Sequence, residues 1–252
     1  MACQRAGVTC MEVQHGVAGG AGHRWYSSWK KLPESGERYG MLPDLYWCWT
    51  KEDKDAIDSW SCGRHVAFQG GRPIQSVLND LEPLTQKHPF PADNGKKSIL
   101  FSLQPGVLYS EWLIDTIKGT CEQINWLIRK HPHLDQTQAD FIRRISGLPN
   151  VHVDGMESIL LEKLLAHVDL HLTSHSSVVM DALFWWVPSI ILSEKYKQLY
   201  QKEIDAGMVV FCGNRESFEE TLCEMLKKKK EPVNPQDLRW QSEQFLEQQI
   251  CI

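Results

Sequence analysis

The chain has 252 residues, 42% hydrophobic and 23% charged, an ordinary globular balance long enough for one large or two modest domains. Its net charge of −5 and pI near 6.1 exclude a generic nucleic-acid binder, which carries a strong basic excess. The eight cysteines form no CxxC pair and keep no regular spacing, so free thiols in a reducing cytosol are expected.

The first apolar run, Val8 to Gln14, reads as a strand that breaks at His15-Gly16. A loop with Gly19, Gly20 and Gly22 follows, then Trp25, Tyr26 and Trp29. The loop lacks the Gly-Lys-Ser/Thr ending of a nucleotide-binding P-loop. "DLYWCW" (44–49) predicts a second strand, "KEDKDAIDSW" a charged helix and "HVAFQGG" (65–71) a third strand. Trp47 and Trp49 alternate along the second strand, a packing pattern. Three strands make a poor free-standing sheet, so residues 1–85 read as the C-terminal part of an α/β domain whose front half lies outside the chain. "HPFPADNGKK" (88–97), dense in proline, glycine and charge, sets a linker over 86–97.

From Ser98 onward short apolar runs alternate with helical patterns. Strands are predicted at 98–103, 124–130, 151–153, 169–173, 189–193 and 208–212, with helices between them and one more at 215–230. Such alternation implies right-handed βαβ crossovers and a doubly wound parallel sheet over 98–231. Ligands of such sheets bind beyond the carboxyl ends of the strands. The apolar run Val178 to Leu192 is broken by Asp181 and Pro188 and falls short of the roughly 18 residues a membrane span needs. Lys227 to Lys230 close the last helix of this region, as a solvated, dipole-complementing end or a contact for an anionic membrane. Residues 232–252 predict a final helix packing back on the first segment.

Three motifs bear chemistry. His15-Gly16 ends the first strand. Lys130-His131-Pro132 ends another, where proline stops the ladder and an imidazole can donate to a phosphate oxygen; a strand-end histidine satisfied by backbone is the alternative. In "LTSHSSVVMDAL" (172–183) a strand ends at Thr173 and a helix begins near Ser176-Ser177. Those hydroxyls can cap the helix or bond an anion held at its first turn. No metal site is expected: His167 and His171 do not share a helix face, His131 and His133 lack completing ligands, and no DxD pair is present. Asp169 reads as the residue that opens a strand.

The order strand–"HG", strand–"KHP", strand–"SHSSVVMDAL…VPSIIL" resembles a group of two-domain GT-B glycosyltransferases. That group includes CDP-glycerol polyglycerophosphate transferases, bacterial sialyl- and polysialyltransferases, and capsule and lipopolysaccharide enzymes. The matching positions are His15-Gly16; His131-Pro132; and Asp169, Thr173, Ser176, Ser177, Asp181 and Pro188. "GGRP" (70–73) is similar to the "GNP" closing the N-terminal domain of such enzymes. One departure is "FWW" (184–186) in place of small residues, expected to reshape the donor pocket.

The resemblance implies a metal-independent transferase moving a sugar, or a glycerophosphate unit, from a nucleotide-activated donor to a hydroxyl of a surface glycan or glycolipid. Lys130, His131, Thr173, Ser176, Ser177 and Asp181 would hold the donor. His15 would be the general base facing the cleft, His131 would stabilise the leaving phosphate, and Gly16, Trp25 and Tyr26 would form the substrate loop. No cofactor is implied; a CMP or CDP donor is favoured, with UDP as an option. A cytoplasmic protein is expected, with peripheral contact to the inner membrane surface as one option. A UDP-sugar 2-epimerase shares the layout but carries a Gly-rich segment where this chain has Ser176-Ser177. A truncated, non-catalytic nucleotide-binding remnant is the third reading.

Overall fold

The structure, a computed structural model, describes residues 2–16, 26–33, 36–71 and 95–227. Trp25, Gly19, Gly20, Gly22, Pro73, most of the expected linker, Lys228 to Lys230 and the expected 232–252 helix lie outside the described residues. The chain divides into two compact units; the described residues up to 71 belong to the first and residues 95–227 to the second.

In the first unit a short helix, α1 (Ala2–Arg5), precedes strand β1 (Met11–Val13). Strand β2 (Leu45–Cys48), helix α2 (Lys51–Ser61) and strand β3 (Val66–Gln69) follow, and the sheet is parallel in the order β1-β2-β3. The strands are shorter than the apolar runs that predict them. Thr50 caps α2 by accepting from the Asp53 amide at 3.2 Å, and Glu52 and Asp53 complement the positive end of its dipole. One sheet face packs Tyr46, Cys48 and Ala67 against Ile57 and Trp60 of α2 and against Tyr26. The buried His65 ring bonds the Pro43 carbonyl through Nδ1 and accepts the Tyr39 amide at Nε2, tying a loop to the start of β3. The opposite face, by strand alternation, carries Met11, Val13 and Val66, which stay 47%, 45% and 49% exposed.

The second unit runs β4 (Lys97–Ser102), α3 (Glu111–Gly119), β5 (Ile124–Arg129), α4 (Gln136–Ile145), β6 (Val151–His152), α5 (Leu161–His167), β7 (Leu170–Thr173), α6 (Val178–Phe184), β8 (Ser189–Ile191), a 3₁₀ turn (Glu194–Tyr200), α7 (Gln201–Asp205), β9 (Val209–Phe211) and α8 (Arg215–Lys227). The helix expected between the strands at 189–193 and 208–212 is thus a 3₁₀ turn joined to a short α-helix. Six strands form one parallel sheet in the order β6-β5-β4-β7-β8-β9. In strand count that is 3-2-1-4-5-6, the doubly wound order in which direction reverses between β4 and β7. Ile99, Phe101, Trp126, Ile128, Leu170 and Leu172 pack on α3, α4 and α8. Leu164 and Leu165 of α5 and Val179 and Ala182 of α6 are buried outside that cluster, and α6 packs on β7 and β8. The fold is α/β and doubly wound. Among the described residues no helix is long and apolar enough to cross a membrane.

Candidate functional site

The reversal of strand order opens a crevice at the carboxyl edge of the sheet, where the loops after β4 and β7 diverge. The loop after β4 is fixed from both sides. The Gln104 amide donates to the Tyr109 hydroxyl at 3.0 Å, and the Gly106 amide donates to Asp135. Asp135 also caps α4 by accepting from the Gln138 amide at 3.1 Å. That amide first, then the Thr137 hydroxyl, hold its carboxyl down to about 2.

His131 follows β5 on one side of β4. Its amide donates to Gln138 Oε1 at 3.0 Å, and its Nδ1 accepts the His133 amide at 3.0 Å. With Nδ1 an acceptor, the neutral ring carries its proton on Nε2, which leaves a donor at the outer nitrogen. Lys130, beside it, pairs with Glu157 at 3.0 Å. Arg129 donates to the Met156 and Ile159 carbonyls at 2.7 Å each and so braces the loop after β6.

The segment Thr173 to Ser177 lies on the other side of β4. Thr173, expected among the donor ligands, is fully buried, and this is a correction. Its hydroxyl donates to the Ser102 carbonyl at 2.9 Å and accepts the Ser176 amide at 3.3 Å, so it laces β7 to β4 and starts the turn. Ser176 is 7% exposed, and its hydroxyl oxygen accepts the Val178 amide at 3.2 Å, leaving its proton to donate. Its carbonyl receives the Tyr200 hydroxyl at 2.9 Å. Ser177 stands at the N-cap position of α6 with no side-chain capping bond. Capping therefore falls to Ser176. Asp181 lies in the first turn of α6, half-buried.

The sequence reading passed over His175, although it stands between Ser174 and Ser176. Its ring stacks on Tyr196 at 4.3 Å with planes 9° apart, and its Nδ1 lies 3.0 Å from the Ser174 hydroxyl. Burial, then the charges of Lys195 and His131, depress its pKa. Two imidazoles thus influence each other across the end of β4, and both lie inside quoted motifs. The signal for His175 was a titratable residue two positions past a strand end. Asp169 sits at the opposite, amino edge, where it pairs with Lys97 at 2.7 Å and accepts the Ser98 amide at 2.9 Å.

Phe184 to Trp186, expected to reshape the donor pocket, stand at the C-terminal end of α6, a helix length away from Ser177. In the first unit His15 is exposed and lies just past the carboxyl end of β1. Gly16 has an ordinary backbone angle, and a Cβ there would meet nothing within 4 Å, so neither conformation nor packing demands glycine. Tyr26, expected in the substrate loop, is a core residue. It is 4% exposed, its hydroxyl donates to Glu12 at 3.0 Å, and its ring meets Tyr46 edge-on. Among the described residues no three His, Cys, Asp or Glu side chains cluster to hold a metal ion.

No family profile and no curated protein matches the sequence. Solved structures do match its backbone. UDP-GlcNAc 2-epimerase from Neisseria meningitidis bound to UDP-GlcNAc superposes with a TM-score of 0.63 at 18% identity, over 99% of this chain and 71% of that one. S. aureus MnaA in complex with UDP gives 0.64 at 16%, over 97% and 68%. The wall teichoic acid polymerase TagF gives 0.56 at 17%, over 95% and 63%. The chain has a GT-B-like fold. At these identities the likeness is one of backbone. In this GT-B-like chain the second unit presents His131, His175 and the Ser174–Ser177 turn around the carboxyl end of β4, while His15 belongs to the first unit.

Proposed function

We propose that this chain acts on a nucleotide-activated sugar, holding its phosphates at the carboxyl edge of the six-stranded sheet, and transfers the sugar to a hydroxyl acceptor. One observation carries the reading: His131 and the Ser174–Ser177 turn flank β4 where the strand order reverses. The Nε2 proton of His131 and the free hydroxyl protons of Ser176 and Ser177 are donors suited to phosphate oxygens. His175, held toward its neutral form, can donate without the cost of desolvating a charge.

In the step itself the acceptor oxygen bonds to the anomeric carbon as the carbon–oxygen bond to the phosphate breaks. His15 takes the hydroxyl proton, and the departing nucleotide keeps the electron pair, stabilised by His131 and the serines. No metal ion enters this scheme. The donor base is a pyrimidine, CMP or CDP by the Ser-Ser pattern and UDP by the ligands named for the structural neighbours.

A second reading, a nucleotide-sugar 2-epimerase, is favoured by the higher TM-scores of the epimerases. Two measurements test both. Calorimetry with CMP, CDP and UDP is expected to give binding that His131→Ala weakens about tenfold, the cost of one charge-assisted hydrogen bond. Absence of binding to all three would overturn the nucleotide reading. UDP-N-acetylglucosamine incubated without acceptor should stay unchanged for a transferase, whereas conversion to its 2-epimer would install the second reading.

A further inference from the structure

We infer that Gln14 is a positioning residue, whose side chain fixes the His15–Gly16 turn in the geometry that proton abstraction needs; the catalytic half of this inference rests on His15 as the base proposed above. Gln14 is 4% exposed at the carboxyl tip of β1, where a long amide is costly to bury unless bonded. It is bonded three ways. Its Oε1 accepts the Trp49 amide at 2.7 Å, past the end of β2. Its Nε2 donates to the Gly16 carbonyl at 2.8 Å and to Asp53 Oδ2 at 3.1 Å. The same Asp53 oxygen accepts the Thr50 hydroxyl at 2.8 Å, so the amide is clamped to the first turn of α2.

His15 is therefore caught between two anchored neighbours. Before it, the Gln14 backbone amide donates to the Trp47 carbonyl at 3.0 Å; after it, the Gly16 carbonyl is held by the Gln14 side chain. The imidazole itself stays exposed. A rigid backbone under an open side chain is how a reactive group is aimed without being covered. Asparagine is too short to span Trp49, Gly16 and Asp53 together. Glutamate cannot donate to a carbonyl and a carboxylate, so only glutamine meets all three demands.

The test compares the full-length chain with Gln14→Glu, Gln14→Leu and His15→Ala. In the unaltered protein, NMR hydrogen exchange should find the Gln14 side-chain amide protons protected; rapid exchange overturns the clamp without any variant. Gln14→Glu keeps size and one acceptor, so near-UV circular dichroism should remain native, while exchange at the Gln14 backbone amide, which donates to the Trp47 carbonyl, quickens. With UDP-N-acetylglucosamine and a hydroxyl acceptor, kcat should fall 10- to 100-fold, KM and UDP affinity staying within threefold, as for a displaced reacting group. A kcat within twofold of the parent in both Gln14 variants, beside an inactive His15→Ala, overturns the positioning role. Turnover that survives His15→Ala defeats the base reading instead, and the clamp is then judged on exchange alone.

Discussion

A fully buried imidazole is tolerated in one charge state only, and His171 is held in the neutral one. It lies in β7 between the hydroxyls of Ser189, 3.0 Å from Nδ1, and Ser102, 3.2 Å from Nε2, and burial alone drives its pKa down to about 3. The unfolded chain takes up a proton as pH falls through about 6.5, whereas the folded one resists until near 3. Over that window the unfolded state holds more protons, so this residue erodes stability on acidification, by on the order of 1 kcal/mol per pH unit, and contributes nothing above pH 7. Urea unfolding between pH 7 and 4 should show a flatter slope for His171→Asn than for the parent; identical slopes would refute the assignment. The sequence excluded His171 as a metal ligand but gave no sign of its partners. Ser102 is 69 positions away and Ser189 is 18, and only the register of three strands brings them together.

Helix α6 illustrates which features of an element are readable and which are not. Its start was legible, because hydroxyl residues after a strand predict a cap, yet the capping serine is Ser176 and not Ser177. Its end was placed near the "FWW" segment, but its geometry was not legible. Trp186 adopts a φ of 53°, with its amide bonding the Leu183 carbonyl at 2.9 Å and the Val187 amide bonding Ala182 at 2.9 Å. This is a Schellman ending with tryptophan at the position glycine ordinarily fills, and a side chain in that conformation costs about 1–2 kcal/mol. Trp186 is 53% exposed, so little packing is lost by removing it. Trp186→Gly should raise the free energy of unfolding by about 0.5–1 kcal/mol after the added chain entropy is counted, and Trp186→Val should lower it. Chemical denaturation of the two variants checks the sign.

On the scale of the molecule, the alternation of apolar runs and helical patterns made the doubly wound sheet legible from Ser98 onward. Strand order was not written in any local pattern, and with it went the knowledge that β4 separates His131 from the serine turn. His175 and Gln14 were missed for the same reason, since their roles come from Tyr196 and from Trp49, Gly16 and Asp53. The first unit adds a point about its surface. Parallel sheets are normally sheltered on both sides, but the row Met11, Val13 and Val66 meets solvent over about half its area. Thioether and isopropyl groups displayed on one face of a sheet make a molecule sticky, and excluded salts strengthen that tendency. The triple variant Met11→Lys, Val13→Thr, Val66→Thr should stay in solution at ammonium sulfate concentrations that precipitate the parent, with an unchanged near-ultraviolet spectrum. A purification that begins with salting-out would concentrate this protein early, through a patch that takes no part in its proposed chemistry.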